Sequence, residues 1–192
     1  MVRGYLAGSA WTEYQDSHTL AGEEMPPGLR QSEKLAYPIF SPATKAESGH
    51  DENISIAQLK KELGNDLATK LRDASLELYK FAAALATRRG LILADTKFEF
   101  GLLGDDLILI DEALTPDSSR YWDSTTYLVG TSPDSYDKQF VRDWLTSAGW
   151  DKESEPPPLP GDIVAQTRER YLTAYQRLVG KPLFPPKPRN EK

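Results

Sequence analysis

The sequence predicts an α+β fold in which a mixed or antiparallel sheet is covered by packed helices. Three observations predict it. Residues 67–89 carry a long helical periodicity, residues 91–102 switch to period two, and Gly104-Asp105-Asp106 supplies a hairpin turn. Strands that follow one another through a tight turn, with helices grouped before and after them, suit a sheet with its helices on one side.

Taken in order, residues 2–7 read as a short strand that begins almost at Met1 and needs neighbours from elsewhere in the chain. Residues 15–53 carry many turn signals, among them Pro26-Pro27-Gly28, Tyr37-Pro38, Ser41-Pro42 and Ser48-Gly49. A long irregular stretch in a compact domain is usually functional. Leu35, Ile39 and Phe40 offer it anchors, so an ordered substrate loop is expected. Ser55 suits the N-cap of a short helix ending at Leu63 and Gly64. Asp66 is expected to cap the long helix, whose apolar stripe runs through Leu67, Leu71, Ala74, Leu78, Phe81, Ala82 and Leu85, with Gly90 as its stop. Residues 107–111 return as the second arm of the hairpin. Residues 137–148 and 161–179 read as amphipathic helices joined through a stiff Pro-rich connector. The domain expectation is a core over residues 1–150, then a Pro-rich linker, C-terminal helix and tail over 151–192.

Composition narrows the function. The 192 residues hold 39% hydrophobic and 27% charged side chains, a globular balance, and no cysteine. A disulfide framework, thiolate metal site or cysteine nucleophile is therefore excluded. A net charge of −6 gives no general attraction to nucleic acid or anionic membrane. No apolar run approaches a membrane span, and the first residues lack the regions of a secretory signal. A small polyanionic ligand stays open where a few Arg and Lys residues converge, and the expectation is a soluble cytoplasmic protein.

The densest chemistry lies in LILADTKFEFG, residues 91–101. Alternation places Asp95, Lys97 and Glu99 on one face, about 7 Å apart from one to the next. Such a row also serves an ordinary solvent face. The following strand, however, is apolar through Leu107, Ile108, Leu109 and Ile110, which suits burial on both faces. If the turn holds three residues, Leu103 pairs with Leu107 and Glu99 stands opposite Asp111. Two carboxylates that close are relieved by a divalent cation, and Mg2+ takes one or two carboxylates plus phosphate oxygens and water. A two-residue turn would set them on opposite faces unless a bulge restored the register.

Further along, Thr115-Pro116-Asp117-Ser118-Ser119-Arg120 reads as a loop leading into a helix. Arg120 could grip a carboxylate or phosphate in a bidentate contact, or serve an ordinary surface ion pair. Near the N-terminus Arg3 lies on a strand and Ser9 follows a Gly turn, where Gly8 would let the backbone approach a ligand. His50-Asp51-Glu52-Asn53 is too poor in imidazole for a zinc site. A polar loop entering a helix is the first reading and substrate contact the second.

The segments VRGYLAGSAW (2–11), SPATKAESGHDENIS (41–55), LILADTKFEFG (91–101), IDEALTPDSSRYWD (110–123) and DKQFVRDWL (137–145), in this order, resemble the SAICAR synthetase family. The resemblance implies an ATP-grasp-like fold with nucleotide between two lobes, of which this chain would be mostly the C-terminal one. It implies an ATP- and Mg2+-dependent ligase of purine biosynthesis. That reaction joins the carboxylate of CAIR, a phosphorylated aminoimidazole ribotide, to L-aspartate, giving SAICAR, ADP and phosphate. By the same resemblance Glu99 and Asp111 would hold Mg2+ on the ATP phosphates. Lys97 and Arg120 would serve substrate carboxylates and the transferring phosphoryl group, and Arg3 and Ser9 would contact CAIR. Asp95 and Asp51 would lie near the imidazole or aspartate site. The family carries a further N-terminal lobe before the VRGYLAGS segment. The expectation is therefore low ligase activity for this polypeptide alone, an exposed apolar surface where that lobe would dock, and its supply as a separate chain as one alternative. A homo-oligomer is also compatible. Two other functions stay open: a binding remnant that retains CAIR or phosphate affinity without catalysis, and another ATP-grasp or kinase-like enzyme acting on a different carboxylate.

Overall fold

The computed structural model describes residues 1–44, 53–151 and 153–184. Its centre is a four-stranded sheet in the order β4-β1-β5-β8, formed by β1 (Val2–Tyr5), β4 (Lys34–Phe40), β5 (Leu91–Thr96) and β8 (Ser119–Asp123), with every neighbouring pair antiparallel. Two hairpins stand apart from it, β2 (Thr19–Leu20) with β3 (Glu23–Glu24), and β6 (Glu99–Leu103) with β7 (Asp106–Ile110). Five helices complete the described chain: α1 (Ser9–Ser17), α2 (Ile56–Leu63), α3 (Asn65–Arg88), α4 (Gln139–Ser147) and α5 (Gly161–Val179). The expected α+β architecture is present.

The long helix α3 covers the sheet. Val2, Leu91, Leu93 and Tyr121 share a core with Tyr79, Ala82 and Ala86 of α3. The buried stripe is turned by about one position from the expected one: Ala68, Ser75, Tyr79, Ala82 and Ala86 face inward, and Phe81 is exposed. Small side chains bring the helix close to the strands. The contact is tightest at Gly4, where a Cβ would lie 1.8 Å from the Tyr79 hydroxyl oxygen. That hydroxyl donates to the Leu93 carbonyl oxygen at 2.7 Å, and burial pushes its pKa up. The cap also differs from expectation. Gly64 occupies the N-cap with no side-chain hydrogen bond, and Asp66 sits in the first turn, where its charge still complements the helix dipole. Ser55 does cap α2, accepting from the Gln58 N–H at 3.1 Å.

The stretch expected as an irregular loop is more ordered. It contains the last turn of α1, the β2–β3 hairpin and β4. Tyr37-Pro38, read as a turn, lies inside β4. Because β4 is at the sheet edge, Pro38 withholds no ladder bond that an interior strand would need. Leu35 and Phe40 are buried, as anchors should be. The sequence hid α1 because no side chain caps it: Gly8 stands at its N-cap with φ 57°. Residues 45–52 lie outside the described residues, and with them Asp51.

The expected single strand from residue 91 to 102 is divided. Lys97 and Phe98 separate β5 from β6, and Phe98 turns into the core. Expected burial of the second hairpin arm is also overturned. Leu102, Leu103, Ile108, Leu109 and Ile110 are all exposed large hydrophobics. Among the described residues no helix is long and apolar enough to cross a membrane.

Candidate functional site

Two strand registers and one bulge decide where the charged side chains meet. β1 pairs with β5 so that Arg3 is opposite Asp95. β5 pairs with β8 through Leu93 opposite Tyr121, and then the register shifts. Regular pairing would set Asp95 against Ser119. The bulge at Ala94 brings it opposite Arg120 instead, re-aiming one carboxylate by a single residue. Three adjacent strands thus present Arg3, Asp95 and Arg120 in a row. The loop-to-helix reading of residues 114–120 is corrected here, because Arg120 lies on β8 and its direction is set by the sheet.

The row is buried and paired. Arg120 Nη1 donates to Asp95 Oδ2 at 2.7 Å, and Arg120 Nε lies 3.5 Å from Asp137 Oδ2. Arg3, Asp95 and Asp137 are each at most 5% exposed. Arg3 Nη2 donates to Ser9 Oγ at 3.1 Å and to Met1 Sδ at 3.7 Å, while Arg3 Nε is buried without a hydrogen-bond partner. Burial pulls the Arg3 pKa down, with Asp95 opposing that shift and Arg120 reinforcing it. Burial pushes the Asp137 pKa up, against the pull of Arg120 and of the Gln139 N–H. Unpaired, such charges would cost several kcal/mol each in desolvation.

Gly8 matters in a way the sequence did not suggest. A Cβ there would sit 2.7 and 2.8 Å from the two Nη atoms of Arg120, and φ is +57°. The space left by its hydrogen is filled by the Arg120 guanidinium, where the sequence suggested a ligand.

A cleft of about 610 Å3 opens beside this row. Arg3 and Ser9 line it together with Lys97, Glu99, Phe100 and Ile110. Lys97 Nζ pairs with Glu99 Oε1 at 2.8 Å. Four of the eight candidate residues therefore share one cavity, and Asp95 and Arg120 adjoin it through Arg3. The register of the β6–β7 hairpin is not the one that brought Glu99 to Asp111. Leu103 pairs with Asp106, so the loop holds two residues and Glu99 faces Ile110. Asp111 lies one residue beyond β7, exposed, with φ 61°. Strand alternation no longer sets its direction, and the geometric argument for a shared cation between the two arms falls. Among the described residues no group of three or more His, Cys, Asp or Glu side chains is placed to hold a metal.

Asp137 was not singled out from the sequence, although it opens the DKQFVRDWL segment. Its signal is tertiary: only packing of the chain before α4 against β8 brings it to Arg120.

The family model described as SAICAR synthetase matches residues 1–157. Phosphoribosylaminoimidazole-succinocarboxamide synthase of Elusimicrobium minutum is 51% identical over 178 residues, which cover 93% of this chain and 61% of that protein. A SAICAR-synthase from Saccharomyces cerevisiae, solved complexed with SAICAR, superposes with a TM-score of 0.84 at 46% identity, covering 94% of this chain and 59% of that one. A SAICAR synthetase solved in complex with ADP superposes with a TM-score of 0.67 at 26% identity, over 95% of this chain and 63% of that one. The chain thus spans about three-fifths of the length of these relatives. With the fold, the ordered motifs and the family model in agreement over most of its residues, this chain belongs to the SAICAR synthetase family.

Proposed function

We propose that this chain forms the substrate- and metal-binding part of an ATP-dependent carbon–nitrogen ligase that joins CAIR to L-aspartate. The products are SAICAR, ADP and phosphate, and the setting is cytoplasmic purine biosynthesis. One observation carries the reading: Arg3, Ser9, Lys97 and Glu99 line a single cleft, and Arg120 and Asp95 adjoin it through Arg3. That set of cations and hydroxyl suits a small polyanion in a protein with no overall positive charge. Relatives solved with SAICAR and with ADP support the same choice of ligands.

The chemistry follows from the substrate. A carboxylate is a poor electrophile, so the CAIR carboxylate is first phosphorylated by ATP and then attacked by the aspartate amine. Arg3 and Ser9 hold the ribotide. Lys97 and Arg120 bind carboxylate and phosphoryl oxygens and offset negative charge as it gathers at the transferring group. Asp95 keeps Arg120 in place, and by the family resemblance Asp51, outside the described residues, would lie near the imidazole or aspartate site. The family resemblance alone, without the hairpin register, assigns Mg2+ to Glu99 and Asp111. When bound, Mg2+ would screen the phosphate charges. The exposed apolar face of β6–β7 would suit docking of an N-terminal lobe of the kind the family carries.

Calorimetric titration with CAIR and, separately, with Mg-ATP tests the reading. Binding of both supports the ligase. Binding of CAIR alone supports a remnant without catalysis, and no heat with either ends the proposal.

A further inference from the structure

We propose that Asp137 is a positioning residue, fixing the plane in which the Arg120 guanidinium presents its remaining N–H groups to an anionic group of the substrate. The proposal rests on the reading of Arg120 as a substrate contact and asks what gives that contact its direction.

An arginine on a strand has several rotatable bonds, and one carboxylate can satisfy its charge in more than one orientation. Here three independent pieces of the chain hold one guanidinium. Asp95 on β5 takes Nη1 at 2.7 Å. Asp137, ahead of α4, faces Nε as an ion pair at 3.5 Å. Gly8, at the start of α1, closes a third side, since both Nη atoms lie within 2.8 Å of where its Cβ would be. Among the described residues no hydrogen bond or ion pair engages Nη2, which leaves its N–H groups for a ligand.

Asp137 is itself held. Its Oδ1 accepts the Gln139 N–H at 2.6 Å, so the carboxylate is fixed to the first turn of α4 while Oδ2 turns to Arg120. The segment carrying it is clamped in turn by α5. Arg170 Nη1 donates to the Ser135 carbonyl oxygen at 2.9 Å, and the Arg170 guanidinium lies 4.3 Å from the centre of the Phe140 ring. The Tyr136 N–H also donates to the Tyr121 carbonyl oxygen at 2.9 Å, fastening the segment beside Arg120 on β8. A second buried carboxylate is a costly way to neutralise a cation that Asp95 already pairs. It does supply a second contact on the guanidinium, which limits its rotation about the Asp95 contact, and the Gly8 backbone bounds the third side.

The test is a double-mutant cycle on CAIR binding by the 192-residue chain, read by calorimetry, with Arg120→Lys, Asp137→Asn and the double variant. Arg120→Lys is expected to weaken CAIR binding. Asp137→Asn, which keeps an oxygen for the Gln139 N–H, is expected to weaken it roughly tenfold in the wild-type background and less than threefold beside Arg120→Lys. Asp137→Glu is expected to recover part of the loss. If the wild type does not bind CAIR, or Arg120→Lys leaves binding unchanged, the reading of the site fails and the proposal with it. If Arg120→Lys weakens binding but Asp137→Asn does not, or does so equally in both backgrounds, the proposal alone is overturned. A spectroscopic measurement needs no change at Asp137. The Arg120 Nε–H resonance, assigned through Arg120→Lys, should be sharp and protected from solvent exchange in the wild type. A fast-exchanging signal overturns the proposal even if the Asp137 variants do not fold.

Discussion

Asp95 and Arg120 meet across β5 and β8 at 2.7 Å because a bulge at Ala94 shifts the register by one residue. Their side chains are 7% and 14% exposed, so this is an interior pair. Removing one partner strands a buried charge. Asp95→Ala is expected to lower stability by roughly 3–5 kcal/mol, measured by urea denaturation. A loss below about 1 kcal/mol would mean that the pair is solvated, as surface pairs are.

Gly4, next to Arg3 in β1, and Tyr79 of α3 provide a packing test. Gly4→Ala must move a ring whose hydroxyl is bonded to Leu93. The expected cost is roughly 1–3 kcal/mol, the range for overpacked cores. Tyr79→Phe removes only the hydrogen bond and should cost about 1 kcal/mol. Thermal denaturation of the two variants would show whether Gly4→Ala is the more damaging.

Asp123 gives a pH signature. Its carboxylate accepts from Thr125 Oγ1 at 2.6 Å, from the Thr125 N–H at 2.9 Å and from the Tyr136 hydroxyl at 2.9 Å, and pairs with Arg177 Nη1 at 2.9 Å. These bonds, the Thr125 hydroxyl foremost, hold its pKa well below the ordinary carboxylate value. A depressed folded-state pKa stabilises above the unfolded value of about 4, and that stabilisation is lost as pH falls through the folded one. Asp123→Asn should therefore be less stable than wild type at pH 7, with the gap closing below about pH 4. Equal gaps at both pH values, read from denaturant midpoints, would count against this.

The β6–β7 hairpin separates exposed from buried leucines. Leu103 is 70% exposed and Leu93 is 2% exposed. Leu103→Lys should change stability by less than about 0.5 kcal/mol, whereas Leu93→Ala should cost roughly 2–5 kcal/mol. A large loss from Leu103→Lys would show that the hairpin face is covered in solution.

The sequence by itself determined much of the local structure. The Ser55 cap, the length of α3, the hairpin and the helices near residues 139–147 and 161–179 follow from capping chemistry and periodicity, which act over a few residues. It also supplied the candidate residues, because the ordered motifs carry the family resemblance. Tertiary structure decided how they meet. The bulge at Ala94, the two-residue turn that sets Glu99 against Ile110, and the approach of Asp137 to Arg120 depend on pairing between distant segments. Side-chain alternation fixes which residues share a face of one strand. It leaves open which residue of the neighbouring strand stands opposite, since a one-residue shift reverses every assignment and is chosen only when the core closes.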